Sequence, residues 1–272
     1  MKFISKKFRP LNLFYKSKLI TYDDESVEIQ NTELINCLDG YLEDKYGDMI
    51  YLLNGTWYVF DKLYIDIINK QFQEIYDSSK KYILDNIDNF RILKETYEKH
   101  MDKNKDKPTE SIYNKEFKDI ENVIYADKQL VDNVEIADLI IPDTKNKILY
   151  LLCLKEKFNG HGCRDLYGQI KISYQLLQNK LKNNIQGALE EYLEKLNREN
   201  EKPETINWDE YRHYFQNYTI CYVAGFMKGL KEKTDSNYAK HLSYALHKEL
   251  NNNRFEFVLM DFSFEIYMEN SK

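Results

Sequence analysis

A continuous apolar run, ILYLLCL at residues 148–154, constrains the fold of this chain more than any other feature. Such a run is typical of a central strand that is buried on both faces of a sheet. Lys155 follows it at once, and a lysine at the exit of a buried strand stays charged only beside an acid or solvent. The sequence therefore predicts that the fold brings an acid or solvent to this end of the strand.

Two acids precede the run on a second apolar segment, and a helix follows it. The segment NVEIADLII carries Glu135 and Asp138, and the helix that opens DLYGQIKISYQ carries Gln169 and Tyr174. Further along the chain the patterns predict a helix, a strand, a helix and a final strand. This order predicts an α/β domain of three layers with a mixed sheet.

The pairing of the two apolar segments determines which acid lies near Lys155. If the turn at residues 141–147 closes symmetrically, Glu135 lies opposite Cys153. Side chains two residues apart share a face of a strand, so Glu135 would share a face with Lys155. Asp138 would point the other way unless a bulge or the strand end redirects it.

A charged segment poor in apolar residues, EKHMDKNKDKPT at 98–109, predicts a linker and a boundary near residue 105. The expected division is a small α+β region at 1–105 and the α/β domain at 106–272. In the first region we expect a helix that begins at Asn31 or Thr32, a hairpin with an Asn-Gly turn at 54–55, and a long amphipathic helix from about residue 61.

Composition limits the class of protein. No run of 18 apolar residues occurs and no signal-type segment follows the basic N-terminus, so we expect a cytoplasmic protein without a membrane span. The net charge is −6, yet residues 155–182 hold six basic and two acidic residues. That local surplus suits DNA binding or a solvated lysine-rich face. The sequence leaves the oligomeric state open, a homo-oligomer included.

The acids and the lysine together suggest metal-dependent hydrolysis. Glu135 and Asp138 could hold Mg²⁺ or Mn²⁺ through oxygen, and the cation would lower the pKa of a bound water. Lys155 would orient the attacking water or stabilise negative charge, and Gln169 and Tyr174 would contact the phosphate or the lysine. The alternative is an ion pair at the sheet rim without catalysis.

Other residues offer weaker signals, each with an ordinary structural alternative. Arg164 at the start of a helix could bind a phosphate, and the local basic surplus adds Lys157 and Lys171 as candidate DNA contacts. Cys153, His161 and Cys163 could bind zinc, although no CxxC pair occurs. The tyrosines of YRHYFQNY at 211–218 could stack on bases or pack in a core.

Several stretches resemble a sporadically distributed bacterial family of unknown function that is associated with phage defence. The likeness extends patchily over residues 45–270 and is to the family's C-terminal part. The stretches that carry it are NGTWYVFDKLY (54–64), ESIYN (110–114), YADKQLV (125–131), VEIADLI (134–140) and LCLK (152–155).

That family is similar in turn to nucleases of the PD-(D/E)XK fold. The resemblance implies site roles for Glu110, Asp127, Glu135, Asp138, Lys155 and Gln169, with Glu110 as a metal ligand on the helix before the sheet. Cys153 departs from the pattern, because the nucleases have an acid there and the family has His. Two hypotheses follow. One is a DNA nuclease that requires Mg²⁺ or Mn²⁺ and acts in phage defence. The other is a degenerate nuclease fold that binds nucleic acid or a phage-encoded or defence-system protein.

Overall fold

A computed structural model describes residues 18–22, 28–33, 40–43, 49–53, 56–59, 61–103, 110–120, 122–183, 186–200, 208–230, 236–251 and 255–262. The chain divides into two compact units, Met1–Ile67 and Ile68–Lys272. Within the described residues there are twelve strands and seven helices. The division predicted near residue 105 stays a prediction.

The described part of the first unit up to residue 59 consists of strands. β1 (Lys18–Tyr22) pairs antiparallel with β2 (Glu28–Glu33). A second antiparallel sheet contains β3 (Gly40–Glu43), β4 (Met49–Leu53) and β5 (Thr56–Val59). The strands of the predicted hairpin are confirmed, and its Asn-Gly turn lies outside the described residues.

The helix predicted after Asn31 is wrong wherever the structure describes that segment. Asn31 and Thr32 lie within β2 and pair with β1. Further on, Tyr41 pairs with Tyr51 in the second sheet. Cross-strand pairs of aromatic residues stabilise antiparallel sheets, and here they outweigh the local helix signal.

The remaining elements build the larger unit, apart from the first residues of α1. The helices are α1 (Lys62–Asp85), α2 (Ile87–Lys103), α3 (Glu110–Lys115), α4 (Gly160–Asn183), α5 (Gln186–Glu199), α6 (Trp208–Asn217) and α7 (Asn237–Leu250). The strands are β6 (Ile124–Tyr125), β7 (Leu130–Val131), β8 (Val134–Glu135), β9 (Leu139–Asp143), β10 (Ile148–Lys155), β11 (Thr219–Phe226) and β12 (Phe255–Asp261).

A mixed five-stranded sheet with the order β12-β11-β10-β9-β6 forms the centre of this unit. β10 runs parallel to β11 and antiparallel to β9. All of β10 from Leu149 to Leu154 is buried, as the apolar run predicts. The expected α/β class with a mixed sheet is confirmed.

Helices cover both faces of this sheet. On one face, Leu152 and Leu154 of β10 share a core with Phe90 and Leu93 of α2. On the other face, Tyr222 of β11 shares a hydrogen bond of 2.6 Å with Ser173 of α4. The sheet therefore lies between two helical layers, and the end of β10 lies at the rim between them.

The register of β9 with β10 differs from the symmetrical turn that we expected. Leu139 pairs with Leu152 and Asp143 pairs with Ile148, so Asp138 rather than Glu135 comes level with Cys153. The carboxylate of Asp143 accepts hydrogen bonds from the backbone and the side chain of Asn146. These bonds tighten the turn and extend β9 through Pro142. The predicted single strand also splits, because β8 ends at Glu135 and β9 begins at Leu139.

The linker predicted at residues 98–109 is wrong over its first half, where α2 continues to Lys103. His100 lies in that half, is fully buried and packs edge-on against Tyr113. Residues 104–109 lie outside the described part of the chain. Burial of one helix face through His100 explains why a charged segment stays helical here.

Two glycines of α4 give a matched test of how this helix begins. A Cβ at Gly162 would lie inside van der Waals contact of the Lys157 carbonyl oxygen, whereas a Cβ at Gly168 would meet nothing within 4 Å. We expect Gly162→Ala to destabilise the protein by about 1–3 kcal/mol. We expect Gly168→Ala to stabilise it by about 0.5–1 kcal/mol, because alanine restricts the unfolded chain. Urea unfolding midpoints check both, and equal shifts would contradict the packing described here.

Candidate metal and catalytic site

Three carboxylates converge beside the sheet, and we call Asp127, Glu135 and Asp138 the acid triad. One ligand oxygen from each lies within 4.8 Å of the others. Asp127 lies in the turn between β6 and β7, Glu135 ends β8, and Asp138 immediately precedes β9. β7 and β8 form a short antiparallel ladder in which Leu130 pairs with Glu135. This ladder brings the three acids together from three separate segments.

Asp138 is the most deeply buried acid of the triad. Its Oδ2 accepts a hydrogen bond of 2.5 Å from the backbone N–H of Leu154 on the central strand. Burial raises the pKa of Asp138 to about 8, and the negative charge of Glu135 adds to the effect. The metal-free site therefore favours a proton on Asp138 near neutral pH, and a cation would compete with that proton.

Glu135 is the triad member that accepts hydrogen bonds from both a neighbouring turn and α4. Its Oε1 accepts from the backbone N–H of Lys128, and its Oε2 accepts from Nε2 of Gln169 at 3.1 Å. Burial raises the pKa of Glu135, and the charge of Asp127 raises it further against the lowering effect of Lys155. The sequence predicts that Gln169 contacts the phosphate or Lys155. In the structure its amide group donates to a carboxylate of the triad rather than contacting Lys155.

Lys155 ends β10 and pairs with an acid outside the triad. Its Nζ lies 3.4 Å from Oε1 of Glu110 on α3. Burial alone would lower the pKa of Lys155, but the charges of Glu110 and Asp138 outweigh burial and raise it. The lysine therefore stays protonated and carries positive charge at the rim of the sheet. Glu110, which was predicted as a metal ligand, lies against this lysine, and the structure groups Asp127 with the other two acids instead.

An open cleft of about 670 Å³ adjoins Lys155 and Glu110. Its other lining residues come from the loop after β10 and the start of α4, and they include Lys157, Asn159 and His161. Asn159 caps α4, because its Oδ1 accepts a hydrogen bond of 2.8 Å from the backbone N–H of Gly162. The cleft leaves the side chain of Lys155 partly accessible to solvent.

The predicted nucleic-acid contacts separate into two groups. Lys157 lines the cleft, and Arg164 lies one turn into α4, where it contacts His161 and Asp165. Lys171 instead pairs with Glu249 of α7 at 3.2 Å. Tyr174 is buried edge-on against Phe255 at 4.7 Å between ring centres. The structure therefore does not bring Lys171 or Tyr174 to the acid triad.

The predicted zinc alternative does not form a cluster in the part of the chain that is described. The group of side chains there that could hold a metal is the acid triad, whereas the exposed His161 pairs with Asp165 and both cysteines are buried. Tyr211, Tyr214 and Tyr218 are also buried, so they pack in a core rather than present rings for bases.

Comparison with protein-family models gives one match. A model of a family of unknown function, DUF6119, matches residues 5–238 of the 272. The chain belongs to the DUF6119 family. No curated protein and no solved structure matches it. The expected membership of a family of unknown function is thereby confirmed, and the links to phage defence and to the PD-(D/E)XK fold stay predictions.

The acid triad of this DUF6119 chain contains one residue that sequence reasoning placed only by resemblance. Asp127 belongs to the stretch YADKQLV, and nothing in its local pattern separates it from an ordinary turn residue. Tyr192, which lies near the triad on α5, was missed entirely because it fits the apolar face of an amphipathic helix. In the described residues no helix has the length and apolar character needed to cross a bilayer.

Proposed function

We propose that this DUF6119 protein is a metal-dependent nuclease that cleaves DNA, with a PD-(D/E)XK-like core and a role in phage defence. One observation carries the proposal. Three carboxylates with oxygens within 4.8 Å of one another lie beside a charged lysine at the end of the central strand. Three carboxylates this close repel one another, and a bound cation would relieve that repulsion.

The donor set fits a hard divalent cation. Carboxylate oxygens are the ligands that Mg²⁺ and Mn²⁺ prefer, and the triad offers only oxygen. When bound, the cation would polarise the scissile phosphate and lower the pKa of a water molecule. Asp127, Glu135 and Asp138 would hold it, and Gln169 would keep Glu135 in its orientation.

Lys155 has a separate role in this proposal. Its ammonium group lines the cleft in contact with Glu110, and its charge acts on Glu135 and Asp138 of the triad. A fixed positive charge there stabilises negative charge that develops on a phosphate oxygen. Lys157 in the same cleft would contact the neighbouring phosphate of the DNA strand.

The order of these groups along the chain supports the nuclease core. An acid on α3, acids before β9, a lysine at the end of β10 and an amide on α4 follow the order that the resemblance implies. Cys153 replaces the second acid of that pattern and is fully buried. Asp127 supplies a carboxylate from a turn and Glu135 supplies one from β8, so the triad does not depend on residue 153.

A plasmid assay tests this function directly. We expect the purified protein to nick or linearise supercoiled DNA with Mg²⁺ or Mn²⁺ and to leave it intact with EDTA, because the triad needs a cation to neutralise its charge. Gel electrophoresis over time measures the rate. Intact plasmid with both cations at protein in excess over DNA would contradict the proposal.

Cys153 favours a second candidate, a degenerate nuclease fold that binds nucleic acid or a phage-encoded or defence-system protein without cleaving. In that case the plasmid would stay intact while DNA binding weakened steeply with salt, because phosphate contacts release counterions. Binding of a protein partner without DNA binding would assign the surface to that partner instead.

A further inference from the structure

A buried hydroxyl near the acid triad has no hydrogen-bond partner among the residues that the structure describes. Tyr192 on α5 is 1% exposed, and its hydroxyl makes no hydrogen bond within the described structure. Buried polar groups are nearly always satisfied, by protein or by a bound molecule, because an unpaired one is destabilising. The hydroxyl of Tyr192 therefore indicates a molecule that binds beside it.

Three hydrogen bonds hold α5 against the strands on either side of Asp127. Lys195 Nζ donates to the carbonyl of Leu130 on β7 at 3.2 Å. Asn200, directly after α5, accepts from the backbone N–H of Tyr125 on β6 and donates to its carbonyl, each at 2.9 Å. Tyr192 lies on the helix that these bonds attach beside Asp127.

The electrostatic surroundings of Tyr192 agree with this placement. Burial raises the pKa of its phenol, and the charges of Glu135, Cys153 and Asp138 raise it further. The phenol therefore keeps its proton and can donate or accept a hydrogen bond. Gln169 and two backbone N–H groups already engage both oxygens of Glu135 and Oδ2 of Asp138.

We propose that Tyr192 completes the cation site by forming a hydrogen bond with a water molecule that a divalent cation in the acid triad retains. This inference rests on the cation binding in the proposed function. Mg²⁺ and Mn²⁺ retain several waters when carboxylates bind them, and such waters donate hydrogen bonds to oxygen atoms of the protein, for which the phenol oxygen is suited. Tyr192 is a positioning residue, since it acts on the water and not on the DNA.

Tyr192→Phe tests the inference because it removes the hydroxyl and keeps the ring. Titration calorimetry with Mn²⁺ alone is expected to show affinity about 10-fold weaker than wild type. The melting temperature without metal is expected to stay equal or rise, because an unpaired buried hydroxyl is lost. A merely structural hydroxyl would instead lower the melting temperature and leave the affinity unchanged.

Tyr113→Phe is the matched control. Tyr113 is also fully buried, but its hydroxyl donates to the carbonyl of Leu93 at 2.9 Å. This variant is expected to lower the melting temperature without metal and to bind Mn²⁺ like wild type. Tyr192→Phe should therefore weaken Mn²⁺ binding, whereas Tyr113→Phe should lower the melting temperature.

The outcomes separate this inference from the proposed function. Equal Mn²⁺ affinity of Tyr192→Phe and wild type would overturn the inference and leave the nuclease intact if wild type cleaves. Weaker affinity in a protein that never cleaves would support the inference and contradict the nuclease. Wild type that binds no Mn²⁺ would overturn the inference outright.

Discussion

Lys155→Ala is expected to lower cation-dependent DNA cleavage by about 10²- to 10³-fold, the usual effect of removing one group that stabilises developing charge. The lysine is the charged group that both the cleft and the acid triad reach. Its loss also leaves Glu110 without the amine 3.4 Å away. Initial rates on plasmid with saturating Mn²⁺ measure the effect, and the far-UV spectrum confirms folding.

Lys118→Ala provides the control for this prediction. Lys118 is also partly buried and ion-paired, with Glu199 at 3.4 Å, but it does not line the cleft. We expect its cleavage rate to match wild type. If both variants cleave alike, Lys155 has only a structural role and the ion-pair interpretation is correct.

Asp138→Asn is expected to stabilise the metal-free protein at pH 8 and to remove its stabilisation by Mn²⁺. The folded protein raises the pKa of Asp138 from its ordinary value to about 8, chiefly by burial. The folded state therefore holds a proton that the unfolded state has released, so this group lowers the free energy of unfolding as pH rises from about 4 to about 8. Asparagine keeps an oxygen for the Leu154 N–H and carries no charge.

Thermal melts from pH 5 to pH 9, with and without Mn²⁺, measure both effects. Wild type should lose stability towards pH 8 without metal and regain it with metal, since ligand binding to the folded state stabilises it. The variant should show a flatter profile and no gain with Mn²⁺. A wild-type profile that Asp138→Asn leaves unchanged would contradict the buried position of this carboxyl group.

Asp143 gives a control of opposite sign. It is buried too, but hydrogen bonds from Asn146 and Asn89 outweigh burial and lower its pKa. Asp143 therefore contributes stability above its unfolded pKa, and that stability is lost as pH falls. Asp143→Asn should destabilise the protein at neutral pH, with no dependence on Mn²⁺.

The sequence predicts the groups of this site better than it predicts their geometry. Lys155 and the central strand follow from a single uninterrupted apolar run, and Gln169 is expected from its place on the helix that follows the strand and from the family resemblance. The pairing of β9 with β10 does not follow, because side-chain bonds between Asp143 and Asn146 tighten the turn. Such contacts have no periodic signal.

Two residues whose roles depend on tertiary contacts account for the other differences. Asp127 sits in a turn where Lys128 has a positive φ of 64°, and only the fold reveals that this turn reaches Glu135. Tyr192 has the spacing of a core residue, and its unpaired hydroxyl is visible only once its neighbours are placed. In both cases tertiary contacts, rather than local preference, determine the role of the residue.

The hydrogen bond from Leu154 to Asp138 ties the backbone of the innermost strand to the charge of the site. The amide proton of Leu154 lies against a carboxylate whose pKa is about 8 and which, in the proposed function, would exchange its proton for a cation. Its nuclear magnetic resonance frequency is therefore an internal indicator of whether that carboxylate carries a proton, a metal or neither. A backbone amide of the buried central strand can therefore report the state of the Asp138 carboxyl group without any added label.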